Sequence, residues 1–276
     1  MIRVFVVGSP RSGTTLLQRL LAERAGLATL PETFLVPRVH SPSRPLRRLG
    51  LARRGAVGLA GEAIGRPLGP VPRRDRHRTE GVVRAAIDAL DAMAAERGAP
   101  GWVEKTPRHL RHVAVLTAAG HPRFVHIVRD GADVTVSVVD VTGRHADRWS
   151  GPRDGLEAAR RWAADVELHL RWADHPDHAF VRYEDLVADP DTWSEALAAW
   201  LGTPAGHRPV DPGEITDPSE PWKRAALDEV SAAATTTTTD RVAAARALRK
   251  DADVGPVLAA GAAAAGRLPY DRLLRG

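Results

Sequence analysis

The residues best suited to chemistry lie at the start of the chain, where Gly8-Ser9-Pro10-Arg11-Ser12-Gly13-Thr14-Thr15 follows an apolar run over 2–7. A strand that turns through a glycine-bounded loop into a helix start is a phosphate cradle. Loop N–H groups face the anion, and the helix end adds roughly half a positive charge. Glycines let the backbone approach closely, and Thr14 and Thr15 add hydroxyl donors. The spacing from Gly8 to Gly13 matches G-x-x-x-x-G-K-[ST], but Thr14 stands where the lysine belongs. The loop is therefore expected to hold a phosphate while lacking the lysine that reaches a transferable γ-phosphate. Glu32, Lys105 and Arg129 each follow a short apolar run, and Ser137 comes eight residues after Arg129. An arginine there can grip a phosphate through two parallel bonds, with the serine returning to the same anion. Taken alone, Arg129-Asp130 reads as readily as a local ion pair; beside the loop it reads as a second anion ligand.

These groups need elements to hold them. Strands are expected over 2–7, around 27–30, from Trp102 to Lys105, over 124–128 and over 179–183. Helices are expected over 14–23, 81–97, 109–119, 132–139, 156–173 and 191–201. Val82, Ala86, Leu90 and Met93 mark the apolar face of one, and Trp162, Val166 and Leu170 that of another. Residues 38–79 are rich in Pro, Gly and Arg and read as an irregular or helical insertion in one domain spanning 1–276. After 201 come a Pro-rich connector, a threonine run over 235–239 and alanine-rich helical stretches. Alternating strands and helices predict an α/β fold of three-layer, P-loop type, with a central parallel sheet flanked by helices. Ligands then sit beyond the C-terminal ends of the strands, where Arg11, Glu32, Lys105 and Arg129 all fall.

Composition narrows the options. The 276 residues include no cysteine, which excludes disulfides, thiolate catalysis and cysteine-bound zinc. At 43% hydrophobic and 26% charged, the chain is that of a soluble globular protein. It has no run long enough to span a membrane. With the loop so near Met1, no targeting segment is expected, and a cytoplasmic location is. The net charge of +5 invites a nucleic-acid reading, but the basic excess is concentrated between Arg38 and Arg78, where only Glu62 and Asp75 oppose the arginines. That segment reads either as a solvated insertion or as an electropositive funnel toward an anionic ligand. Nucleic acid is not expected as the partner.

Gly8 to Leu17 resembles the 5′-phosphosulfate loop of sulfotransferases that use 3′-phosphoadenosine 5′-phosphosulfate (PAPS). Residues 124–139, with Arg129 and Ser137 inside them, resemble that family's 3′-phosphate segment. Val181-Arg182-Tyr183-Glu184-Asp185-Leu186 resembles the strand end whose tyrosine meets adenine. Trp102-Val103-Glu104-Lys105-Thr106-Pro107 is similar to the segment that supplies a lysine near the sulfuryl group. The motifs run in the family's order from residue 2 to 186, and the likeness fades beyond 190. The resemblance implies that Arg11, Ser12, Gly13, Thr14 and Thr15 hold the 5′-phosphosulfate. It implies that Arg129 and Ser137 hold the 3′-phosphate, that Tyr183 meets adenine, and that Lys105 and Arg11 offset charge on the departing oxygen. The implied product is adenosine 3′,5′-bisphosphate, and the missing loop lysine is then expected.

The general base is left between two residues. Animal-type cytosolic members carry a histidine two residues after the lysine, where this chain has Pro107. Tyrosylprotein-type and several bacterial members use a glutamate after the second strand, a pattern Glu32 fits; His109 is the competitor. Glu104 is expected as a salt-bridge partner that orients Lys105. Lys223, after Trp222, falls where the family places a segment over the nucleotide. The run Asp174-His175-Pro176-Asp177-His178 has metal-ligand types but is expected on a surface turn, and no metal is expected. The acceptor is expected to be a hydroxyl, on a small molecule or natural product. The competing functions are a P-loop kinase or NTPase-like phosphotransferase, which needs a lysine and magnesium ligands, and a non-catalytic nucleotide-binding protein.

Overall fold

Five short apolar runs form one sheet in the computed structural model, which describes residues 1–147, 149–203, 209–216 and 239–275. The strands are β1 (Ile2–Gly8), β2 (Ala28–Thr29), β3 (Gly101–Lys105), β4 (Arg123–Val128) and β5 (His178–Arg182). Their order is β2-β3-β1-β4-β5, and every pair is parallel. Parallel neighbours require crossovers, which the helices supply. They are α1 (Thr14–Arg24), α2 (Leu35–Val39), α3 (Arg44–Arg48), α4 (Ala56–Ala63), α5 (Thr79–Glu96) and α6 (Val113–Gly120), followed by α7 (Gly131–Arg144), α8 (Gly155–Leu170), α9 (Tyr183–Ala188), α10 (Pro190–Leu201), α11 (Thr239–Lys250) and α12 (Val254–Ala265).

The strands read as continuous apolar runs because both sheet faces are covered. On one face Val4, Val6, Val103 and Ile127 pack against Leu17 and Leu21 of α1 and Trp193 and Leu197 of α10. On the other, Phe5, Val7, Trp102 and Phe124 lie under Val82, Ile87 and Leu90 of α5 and Leu116 of α6. Val128 and Phe180 continue that second layer beneath Trp162 and Val166 of α8, with Leu258 of α12 behind them. The result is the three-layer α/β fold expected. After β1 the chain runs toward β2, whereas after β4 it runs toward β5. The loops that follow β1 and β4 therefore open on one crevice, the switch point where ligands bind in such sheets.

The insertion over 38–79 takes the helical of the two forms expected. It contains α3 and α4, and antiparallel bridges tie His40 to Ala52 and Leu51 to Arg78. Other expectations need correction. The single helix expected over 109–119 is a 3₁₀ segment, Pro107–His112, followed by α6, and it opens with His109 N donating to Thr106 O at 2.9 Å. His178 is not on a surface turn. It is buried in β5, with its ring stacked between Trp172 and Phe124. Among the described residues no cluster could hold a metal ion, and no helix is long and apolar enough to cross a membrane.

Candidate active site

The loop between β1 and α1 is held by contacts that only its own residues allow. Gly13 caps α1 at φ 88°, in the left-handed region, and a Cβ there would lie 2.3 Å from Tyr183 Cδ2. Gly8 is pressed against β4, so a Cβ would meet Ile127 O at 2.5 Å. Arg11 also has a positive φ, 71°, which is uncommon for a residue with a side chain and marks a constrained turn. Ser12 N donates back to Ser9 O at 3.2 Å, closing the loop. Gly13 brings no side-chain cap, so the first N–H groups of α1 are left for another acceptor. Ser12 is fully buried, and its Oγ has no partner.

The β4–α7 turn stands next to this loop. Arg129 leaves β4 with its guanidinium 4.3 Å above the Tyr183 ring, its Nη2 3.9 Å from Asp133 and its buried Nε without a partner. Its carbonyl accepts from Trp162 Nε1 at 3.1 Å. Asp130 caps α7, accepting from Ala132 N at 2.9 Å and Asp133 N at 3.2 Å. Ser137, on the first turns of α7, accepts from Arg11 Nε at 3.1 Å. Arg11 thus links the loop to α7, and Tyr183 links Gly13 to Arg129. Loop, Arg129, Ser137 and Tyr183 form one continuous wall. Lys223 lies outside the described residues.

Lys105 and Glu32 form the third part. Lys105 Nζ donates to Glu32 Oε1 at 2.5 Å, with the lysine side chain fully buried and the glutamate 9% exposed. Glu32 is placed from α1, where Gln18 Nε2 donates to Thr29 Oγ1 and to Leu30 O, both at 2.8 Å. Glu104 is not the partner of Lys105. Successive strand residues point to opposite faces, so Glu104 turns away beneath the sheet. Its Oε1 accepts from Thr33 N at 3.2 Å, Thr33 Oγ1 at 2.8 Å and Thr106 Oγ1 at 2.6 Å, while Oε2 meets His109 Nδ1 at 3.0 Å. Burial pushes this carboxyl up, but the His109 ring and the surrounding donors outweigh it and hold it below the ordinary value. Thr33 follows Glu32 and Thr106 follows Lys105, so one buried carboxylate fixes the backbone beside both members of the Lys105–Glu32 pair. His109 is fully buried, with Val36 N donating to its Nε2 at 3.4 Å. Both ring nitrogens are engaged, which leaves it no route to an acceptor.

A cleft of about 330 Å³ opens beside the loop, lined by Ser9, Pro10, Arg108, Arg111, Trp149 and Asp165 among others. Asp165 was not foreseen from the sequence. Its Oδ2 accepts from Ser9 Oγ at 3.1 Å and its Oδ1 from Arg111 Nη2 at 2.6 Å, which ties α8 and the 3₁₀ segment to the phosphate loop. Burial raises its pKa, against the pull of Arg111 and Ser9. The available signal was an acid beside the apolar stripe Trp162–Val166–Leu170.

A sequence model described as the Sulfotransferase family matches residues 3–207, which contain the loop, Glu32, Lys105, Arg129 and Ser137. The chain belongs to the sulfotransferase family. Among curated proteins, the chain is 27% identical over 209 residues to protein-tyrosine sulfotransferase 1 of Danio rerio. The alignment covers 73% of this chain and 53% of that protein, so the chain spans about half the length of the curated relative it matches. Among solved structures it is similar to the sulfotransferase domain of the Synechococcus PCC 7002 olefin synthase, at 20% identity and a TM-score of 0.53 over 91% of this chain and 95% of that one. That likeness is one of fold.

Proposed function

We propose that this sulfotransferase moves a sulfuryl group from PAPS to the hydroxyl of a small-molecule acceptor, with Glu32 as the general base. The observation that carries the reading is the pair of buried, unpartnered polar atoms, Ser12 Oγ and Arg129 Nε, on the two loops that share the switch-point crevice. Buried polar atoms are rarely left unpaired. Here they lie beside an uncapped helix N-terminus, and a nucleotide with two anionic groups would satisfy both. When bound, PAPS supplies the activated sulfuryl group and leaves as adenosine 3′,5′-bisphosphate. Ser12, Gly13, Thr14 and Thr15 grip the 5′ end, Arg129 and Ser137 grip the 3′-phosphate, and Tyr183 offers its ring to adenine.

Glu32 takes the acceptor proton at its carboxylate. Lys105 Nζ and the Arg11 guanidinium offset negative charge as it grows on the departing oxygen, in a pocket that excludes water from the lysine. Lys105 must leave Glu32 to do so, and that movement frees the carboxylate for the acceptor. The cleft beside Ser9 and Pro10 is of the size that takes small ligands, about 300–1,000 Å³. A magnesium-dependent phosphotransferase is disfavoured by Thr14 in place of the loop lysine and by the engagement of Glu32 with Lys105.

Arg129→Ala tests the reading by calorimetry. Adenosine 3′,5′-bisphosphate should lose affinity by roughly tenfold or more, on the scale of a charged hydrogen bond, while 5′-AMP changes little. Equal losses for the two nucleotides would refute the assignment. Transfer of labelled sulfate from PAPS to hydroxyl compounds, with no turnover of ATP and magnesium, completes the test.

A further inference from the structure

The arginine-rich insertion is not used by the proposed reaction, and its organisation points to a surface role. Arg44, Arg47 and Arg48 project from α3 into solvent, and Arg53 and Arg54 follow, also exposed. A second basic run, Arg73, Arg74, Arg76 and Arg78, is exposed as well. The fold stitches the two runs together. Leu51 and Arg78 form an antiparallel bridge, Ala52 N donates to His77 O at 2.9 Å, and Thr79 N donates to Gly50 O at 2.9 Å. Two separate stretches of sequence therefore make one basic patch. Of the insertion's acids, Asp75 faces Arg74 at 3.8 Å, and Glu62 lies on α4. None of Arg44, Arg47, Arg48, Arg53 and Arg54 forms an ion pair among the described residues.

Leucines stand in the middle of these charges. Leu46 is 44% exposed and Leu49 66% exposed, the latter the most exposed large apolar side chain among the described residues. Three positions apart on one turn, they share a face, with Arg47 and Arg48 between them. Large aliphatic side chains in water need a reason when they cluster. Cations around a protruding aliphatic pair match an anionic lipid interface, where the leucines enter the acyl boundary and the arginines meet the headgroups. The segment from 38 to 79 contains no Phe, Tyr or Trp, so it lacks the stacking platforms of a single-strand binder. The insertion that carries the patch also touches the 3₁₀ segment. The His40 ring packs edge-on against His112 at 5.0 Å, on the 3₁₀ segment whose Arg108 and Arg111 line the cleft.

We infer that α3 and the basic runs around it dock this protein on the surface of an anionic bilayer, with Leu46 and Leu49 as the inserted pair. The attachment is peripheral and reversible.

The test is co-sedimentation of the full chain with vesicles of equal parts phosphatidylglycerol and phosphatidylcholine, beside vesicles of phosphatidylcholine alone. Binding should be confined to the anionic vesicles and should weaken as salt rises. Replacing both Arg47 and Arg48 by alanine should lower partitioning about 30-fold, at about fivefold per arginine. Leu46→Ser with Leu49→Ser should lower it about tenfold or more. These side chains are exposed, so both variants should keep the wild-type melting temperature, checked by circular dichroism. Equal binding to the two vesicle types overturns the inference. So does undiminished binding of the leucine variant, or displacement from vesicles by duplex DNA that the leucine variant binds as well as wild type. Neither donor nor acceptor is present, so the result is independent of the transfer reaction.

Discussion

Two buried polar clusters lie under the same face of the sheet, one at its C-terminal rim and the other midway along it. The rim cluster is built on Glu104, whose two oxygens meet donors from Thr33 and Thr106 and the ring of His109. The inner cluster is a row of imidazoles. His126 Nδ1 lies 2.7 Å from His169 Nδ1, and His126 Nε2 lies 2.8 Å from His178 Nδ1. The rim cluster holds a charge that its donors stabilise, and it braces the residues next to Lys105 and Glu32. Among the described residues the inner cluster has no carboxylate within hydrogen-bond reach, and burial lowers the pKa of His169 and of His178 to about 3 and that of His126 well below its usual value. Ring-nitrogen hydrogen bonds link the three side chains, and burial favours their neutral forms. One cluster braces the Lys105–Glu32 pair, and the other is expected to make the fold sensitive to acid.

The largest effect expected at the rim comes from Glu32→Gln. Turnover should fall by roughly 100-fold or more, the scale of a general base, with little change in affinity for adenosine 3′,5′-bisphosphate. If His109→Ala is the damaging change instead, the base has been misassigned. Next is Glu104→Leu, which leaves the Thr33 and Thr106 donors buried and unpaired. It should cost about 2–3 kcal/mol of stability and lower turnover about 10- to 100-fold through misplacement of the Lys105–Glu32 pair. His126→Leu makes the contrast. It should also destabilise the protein, yet leave turnover per folded molecule unchanged at permissive temperature. Matching losses of turnover in these two variants would erase the distinction between the clusters.

The pH dependence of unfolding sharpens it. The folded rings of His126, His169 and His178 resist protonation, whereas in the unfolded chain they titrate near 6.5. The unfolded state therefore binds more protons as pH falls below 6.5, and stability drops progressively from there toward about pH 3, where His169 and His178 begin to charge in the fold. Denaturant midpoints measured across this window should fall with pH, and His178→Phe should flatten the slope. An unchanged slope would show that other groups govern acid unfolding. The smallest effect belongs to Asp165→Asn, which weakens the tie to Ser9. The donor KM should rise about three- to tenfold, the scale of one hydrogen bond, with kcat nearly unchanged.

Much of the candidate site was legible in the sequence because a strand, its turn and the helix that follows are local. Gly8 to Thr15 carries strand end, turn and helix start in one uninterrupted stretch, so spacing alone announces it. Arg129 with Ser137 was legible for the same reason, as an arginine at a strand end and a serine on the helix that follows. Glu104 was misjudged because adjacency in sequence suggested contact with Lys105, whereas the pleat of β3 sends the two side chains to opposite faces. His178 was misjudged because its neighbours are turn formers, and only the pairing of β4 with β5 carries it into the core. Asp165 announced itself weakly, since an acid beside an apolar stripe says that a buried partner exists without saying which.

The sequence by itself determined the parallel α/β order, the glycine-bounded turn with threonine in place of the P-loop lysine, and the polar groups that end each strand. Those features depend on runs of a few residues, where backbone propensity and periodicity act directly. Tertiary structure decided which of those groups meet. Lys105 reaches Glu32 across 73 positions, Asp165 reaches Ser9 across 156, and Arg11 reaches Ser137 across 126. Such contacts follow from strand order and side-chain facing, which are fixed only when the whole sheet closes.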